Sequence, residues 1–492
     1  MSKKTAVFVF SIFICFVTAY AQNISELSEK QKALIHMKKS IVKIFMTQQT
    51  PNFYNPWTHI APSSHTGSGA IITVNGKKRI ITNAHVVTNQ TYLQVKRQGM
   101  PEKFEAKLEF VAHDGELALL SVLDEKFFEG AETLELGEVP HQERRVKIYG
   151  FPVFGDHLSI SEGIVSRIEY SEYIHVRRQN LVIQTDAAIN AGNSGGPAII
   201  DGKIVGVAFQ NTPNAEGLND LIPANLVRRF LADIKDGKYH GIPALNIETQ
   251  IMESKFLRRF CKLPENESGV MVKRVVEDSE GSKFKPKDVL TKIGDFDIAN
   301  DGTVVFREGE RVYYRYAVSL YQMDKPINIE IYRNGKKQII RIKAEPSKEH
   351  VRGPLYETLP SYYINGGLVF TDLTENYMDL WPKRPPTSYE KERALLPSVK
   401  RKHVVALLRV LAHQINEGFQ DTINEIVIRI NNRNLSEFKD VIKAFRHPIN
   451  GKYHEIVLEG EEVIILPVKG LKKANKEIQG IYNYPKDRSP DA

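Results

Sequence analysis

The stretch Asp186-Ala187-Ala188-Ile189-Asn190-Ala191-Gly192-Asn193-Ser194-Gly195-Gly196-Pro197 sets one serine among glycines, between the apolar runs 181–183 and 198–200. Glycine admits positive φ and lets a backbone approach a substrate closely. In such a conformation the amides of the segment Gly192, Asn193 and Ser194 form a candidate oxyanion hole, those of Gly192 and Ser194 turning towards one point. Donors so placed stabilise the charge that develops on an attacked carbonyl. The plain alternative is a glycine-rich hairpin turn with an incidental serine. Two features upstream argue for chemistry.

A serine hydroxyl is a weak nucleophile until an imidazole takes its proton. The strand-like segment 80–83 runs into a turn that carries His85. Between that histidine and the serine, Asp114-Gly115-Glu116-Leu117-Ala118-Leu119-Leu120 offers a carboxylate to orient the imidazole. Glu116 stands directly before the apolar strand, and Asp114 stands two residues earlier. Read as one strand, both face the same side. Glu116 is the favoured acid and Asp114 the alternative. No other His or Cys falls at a metal-ligand spacing from His85, so no metal is expected, and acyl transfer through a serine calls for no organic cofactor.

The motifs TGSGA (66–70), ITNAHVV (81–87), ELALL (116–120), GFP (150–152), SEGIVSRIE (161–169) and DAAINAGNSGGP (186–197) resemble, in order, the trypsin-like domain of the HtrA/Deg serine proteases. The phrases IANDGTVVFRE (298–308) and LPSYYINGGLVFTDLT (359–374) resemble plant Deg proteases with a second, degenerate PDZ-like domain. The resemblance implies a mostly β chain: a trypsin-like double β-barrel followed by two PDZ-like α+β domains. It implies a serine endopeptidase with the set His85, Glu116 and Ser194, acting on unfolded proteins or peptides in protein quality control. It further implies a homo-oligomer, a trimer or a multiple of trimers. The side-chain pocket is placed at Ile189, Asn190, Ala191, Val207, Ala208 and Phe209. With no carboxylate there, small or medium apolar residues are the expected preference. A PDZ peptide groove is placed at Ala244, Leu245, Asn246 and Ile247. The alternative function is a peptide-binding chaperone or scaffold with a weak or inactive protease domain. The family has Asp where this chain has Glu116, which is what keeps that alternative open.

The 492 residues suit about three domains. Residues 1–21 read as a signal peptide: Lys3 and Lys4, an apolar run over 6–17, and the small-x-small site Ala19-Tyr20-Ala21. The expected protein is exported, periplasmic if the source is a Gram-negative bacterium, with no membrane span after signal removal. The net charge of +8 is spread over scattered basic pairs such as Arg144-Arg145 and Arg228-Arg229, which gives no reason to expect nucleic acid. Of two cysteines, Cys15 lies in the leader, so Cys261 has no intramolecular disulfide partner after cleavage.

The expected order is an N-terminal helix and entry strand over 22–46, the protease domain over 47–240, a PDZ domain over 241–346, a second PDZ-like domain over 353–470 and a flexible tail over 471–492. Residues 47–65 read as a surface loop. Short runs at 146–148, 164–168, 174–176, 181–183 and 204–209 read as barrel strands. Asn334-Gly335 marks a hairpin. The stretches 288–293 and 327–342 are echoed at 424–434 and 454–468, an internal repeat.

Overall fold

The structure, a computed structural model, describes residues 29–153, 155–211 and 218–490. The signal-peptide reading of residues 1–21 lies outside the described residues. Helix α1 (Glu29–Lys39) leads into a first closed barrel of β1 (Ile41–Gln48), β2 (Ser63–Val74), β3 (Lys77–Thr82), β4 (Gln90–Arg97), β5 (Phe104–Ala112) and β6 (Leu117–Val122). A second closed barrel follows, of β7 (Arg145–Gly150), β8 (Ser159–Tyr173), β9 (Arg178–Thr185), β10 (Pro197–Ile200), β11 (Lys203–Asn211) and β12 (Asn219–Pro223). Closure removes the unpaired edges that a free sheet would expose. Ile71 of β2, Ile80 of β3, Leu93 and Val95 of β4 and Leu120 of β6 fill the first barrel, all buried. Asn75 and Gly76, at φ of 50° and 75°, make the tight turn from β2 to β3 that such residues favour.

Helix α2 (Ala224–Asp233) closes the second barrel. Beyond it a sheet runs in the order 247–251, 270–275, 289–293, 326–333 and 336–343. Its last two strands are joined at Asn334-Gly335 with Arg333 opposite Lys336, as the sequence led us to expect. A further sheet carries Tyr362–Asn365, Leu368–Asp372, Val405–Val410, Glu425–Ile430, Tyr453–Leu458 and Val463–Pro467. The repeated sequence phrases fall on corresponding strands of the two sheets.

Three local expectations are corrected. Residues 174–177 form the turn between β8 and β9, not a strand. Loop 51–60 is not a free surface loop: Phe53 is buried and Trp57 packs with Tyr362 and Tyr484, across from the barrel to the last sheet. The stretch 471–492, read as a flexible tail, holds the helix Leu471–Tyr482. Leu471, Ala474 and Ile478 repeat at helical spacing and are buried, and the amide of Ser489 donates to Tyr362 O at 3.0 Å. The many lysines of that helix lie on its other faces and mask the stripe in sequence. Among the described residues no helix is long and apolar enough to cross a membrane.

Candidate active site

The serine loop is held between the barrels by close packing. Gly192 and Gly195 take φ of +96° and +85°. A Cβ at Gly195 would lie 2.2 Å from both Ser68 O and Thr82 Oγ1, so only glycine fits there. Ser68, from β2, ties the two barrels at this point. Its hydroxyl donates to Gly192 O at 2.7 Å and accepts from Phe151 N at 2.8 Å, while its amide donates to Ser194 O at 2.8 Å. Ser68 lies in the TGSGA motif, yet nothing in the motif itself assigns it this clamp.

His85 and Glu116 meet as a close pair. His85 Nδ1 lies 2.6 Å from Glu116 Oε1, and the His85 amide donates to the same oxygen at 2.9 Å. The Glu116 side chain is 1% exposed and that of His85 24%. Burial alone would push the Glu116 carboxyl up. The charge of His85 and its two hydrogen bonds outweigh burial and hold the group below the usual carboxylate range. Glu116 therefore stays ionised and acceptor-only, which fixes the imidazole with its Nδ1 proton towards the acid.

Asp114 is placed elsewhere. Its carboxylate takes Tyr239 OH and, at 2.7 Å, the amide of Ile242. The expectation that both acids share one strand face fails because β6 starts only at Leu117. Residues 113–116 form a turn closed by Glu116 N to His113 O at 3.1 Å. Glu116 sits there in the left-handed region, φ 58°, with its carbonyl bound by Asn83 Nδ2 at 3.1 Å. A turn, unlike a strand, sends residues two apart in different directions.

Ser194 lines the same cleft of about 690 Å³ as His85, together with Gly192, Ala191, Val153 and His175. In this resting arrangement the Ser194 hydroxyl donates to Phe209 O at 3.4 Å rather than to His85. Such contacts tighten or form only with substrate bound in many enzymes. The Asn193 amide is committed to Asn190 O at 2.9 Å. Those of Gly192 and Ser194 donate to no backbone carbonyl among the described residues. Of the expected pocket residues, Ala191 lines the cleft and Asn190 is exposed. Ile189, Val207, Ala208 and Phe209 are buried in the barrel core, with the Phe209 ring against Tyr173 at 4.6 Å.

His175 was not foreseen. From the turn after β8 its ring stacks on that of His85, centroids 4.2 Å apart and planes 21° from parallel. Desolvation and the neighbouring His85 push it down to about 4, against a smaller upward pull from Glu116. It is therefore neutral at physiological pH. Sequence offers no signal for this contact, since 90 residues separate the two rings.

The residues Ala244 to Ile247 lie apart from this cleft and are engaged within the chain. Ala244 N donates to Glu345 O, the Asn246 amide group to Glu345 Oε1 and Pro346 O, and Arg315 to Ile247 O.

A family model described as a trypsin-like peptidase domain matches residues 67–207, and one described as a PDZ domain matches 351–491. The second match takes in the helix Leu471–Tyr482. The chain is 35% identical over 449 residues to the mitochondrial protease Do-like 4 of Arabidopsis thaliana, covering 91% of this chain and 84% of that protein. It is 35% identical over 488 residues to the chloroplastic protease Do-like 2 of the same plant, covering 96% and 79%. The chain belongs to the Do-like (HtrA/Deg) family of serine proteases. A solved structure of the HtrA-type protease AlgW with a tripeptide matches its fold with a TM-score of 0.50 at 21% identity, over 64% of this chain and 95% of that one. The activity of this Do-like chain is that of a serine endopeptidase.

Proposed function

We propose that Ser194, His85 and Glu116 carry the hydrolysis. The observation that carries this reading is the 2.6 Å contact between His85 Nδ1 and the buried, ionised Glu116, in a cleft shared with Ser194. Ser194 Oγ leaves Phe209 O, passes its proton to His85 Nε2 and attacks the peptide carbonyl. The C–N bond breaks as His85 returns the proton to the leaving amine, and water then releases the acyl group by the same steps in reverse order. Glu116 stabilises the imidazolium formed on the way without taking its proton. The amides of Gly192 and Ser194 hold the oxyanion. The Asn193 amide, already bonded to Asn190 O, is left out of that role.

Unfolded or damaged proteins are the substrate class in this reading, and the working form is a homo-oligomer built of trimers. Family membership supports both. The location is a compartment reached by export or organelle targeting, in keeping with the mitochondrial and chloroplastic names of the relatives. Casein digestion and fluorophosphonate labelling, compared between the wild type and Ser194→Ala, test the chemistry. Both are expected to vanish in the variant; labelling that persists overturns the assignment. Deletion of 353–492 followed by light scattering tests the part of the tail in assembly, with a smaller number of protomers as the expected result.

A further inference from the structure

A short segment ahead of the last sheet reaches back to the protease domain and touches three places around the catalytic pair. It is anchored at its base in the last domain. Val351 is buried there, Arg352 O accepts from Glu375 N at 2.9 Å, and Leu355 exchanges two hydrogen bonds with the Asn376 side chain, at 2.6 and 3.0 Å. Its tip is Tyr356-Glu357.

Glu357 holds the far end of the His85 turn. Its amide donates to Asn89 Oδ1 at 2.8 Å, and Asn89 N donates to Glu357 Oε1 at 3.1 Å. Its other oxygen meets His113 Nε2 at 3.0 Å. Tyr356 stacks on the His113 ring, centroids 3.7 Å apart and planes 10° from parallel, and its hydroxyl donates to His175 O at 2.9 Å. His113 opens the turn that sets Glu116 in its left-handed backbone, through His113 O and Glu116 N. His175 is the ring lying on His85. One two-residue tip thus grips the turn behind the base, the turn behind the acid and the backbone of the residue whose ring lies over the base.

We propose that Tyr356 and Glu357 are positioning residues for peptide hydrolysis: the last domain, through this tip, fixes the relative placement of His85 and Glu116. The proposal rests on the roles given above to His85, Glu116 and Ser194. Geometry of this kind governs rate because a misplacement of about 1 Å at reacting groups costs on the order of a hundredfold. The tip does not itself line the cleft or touch Ser194, and its one contact with a cleft residue is with the backbone carbonyl of His175, so its loss acts on turnover more than on substrate affinity.

The test is steady-state cleavage of a fluorogenic peptide by full-length Glu357→Ala, Glu357→Gln, Tyr356→Ala and Tyr356→Phe, with Ser194→Ala and Glu116→Gln alongside. Circular dichroism melts and light scattering monitor fold and assembly. In both alanine variants kcat is expected to fall by about tenfold or more with KM little changed. Gln at 357 keeps a carbonyl oxygen for Asn89 N and turns its NH2 to His113 Nε2, which accepts in its other tautomer, and Phe at 356 keeps the stack, so each restores most of the loss. Unchanged kcat in the alanine variants, while Ser194→Ala and Glu116→Gln are inactive, refutes the tip's role and leaves the catalytic assignment standing. Activity retained in Glu116→Gln refutes the catalytic assignment itself. A rise in kcat, a fall in kcat matched by a lower melting point or altered mass, or a loss confined to KM each overturns positioning.

Discussion

Two demands meet at Glu116. It must supply a carboxylate to His85, and it must hold φ of 58°, a region that costs a non-glycine residue roughly 1–2 kcal/mol. Asparagine and aspartate visit that region more readily than glutamate. Glu116→Asp is therefore expected to relieve backbone strain while shortening the reach to Nδ1, and peptide turnover reads the balance: activity retained to within roughly tenfold. Glu116→Gln keeps the shape and loses the charge, and is expected to lower kcat by about two to four orders of magnitude. Asp114→Asn leaves His85 untouched; it is expected to weaken the Tyr239 contact and to show in melting temperature more than in rate. A second expectation concerns pH. His175 is held down to about 4 in the folded chain, against about 6.5 when free. Between those values the unfolded chain binds a proton that the folded chain refuses, so stability falls as pH drops from about 6.5 towards 4 and is unaffected above. Glu116, also held low, adds its loss only below about 4.5. The difference in melting temperature between the wild type and His175→Phe, followed over this range, isolates the histidine: the variant is expected to lose less on acidification.

At the level of elements, what the sequence disclosed depended on whether the signal was local. The glycine pattern around Ser194, the turn carrying His85 and the Asn-Gly hairpins are short-range, and each is found where its residues placed it. The carboxylate that meets His85 was legible by position but not by geometry: Asp114-Gly115 is a turn dipeptide, and reading one strand through 114–120 passes over it. His175, Ser68 and the Tyr356–Glu357 tip act through partners remote in sequence, so no local pattern marks them. The last helix was hidden for another reason: Lys472, Lys473 and Lys476 dominate its composition, while its apolar stripe is one side chain wide. That stripe can be tested. Ile478 is fully buried. Ile478→Ala is expected to cost about 2–5 kcal/mol of stability in denaturant titration, and Lys476→Ala, on an exposed face, within about 0.5.

On the scale of the whole molecule, several kinds of contact seat the last domain on the protease domain, and three of them are open to test. One is the tip at Tyr356. Another is ionic: Arg177 with Asp379 and Glu375, and Arg178 with Glu349 at 3.0 Å. These pairs are partly exposed, and such pairs are worth about 0–1 kcal/mol each. The double variant Arg177→Ala/Arg178→Ala is accordingly expected to melt within a few degrees of the wild type at low salt, and the small difference to shrink further in 1 M salt, where the screening length falls to about 3 Å. The third contact is aromatic. Trp57, sent out from the first barrel, lies against Tyr362 and Tyr484, 5.8 and 5.7 Å between centroids. Trp381 lies against Tyr377 and Tyr389 in the same domain. The chain has no other tryptophan. Indole emission therefore reports on the last domain and its seam with the barrel, and is blind to both barrel interiors and to the middle sheet. Far-ultraviolet dichroism, which sees every strand, weights the barrels instead. Unfolding midpoints read by the two probes coincide only if the modules come apart together, and any gap between them measures directly how loosely the seam couples the end of the chain to its catalytic half.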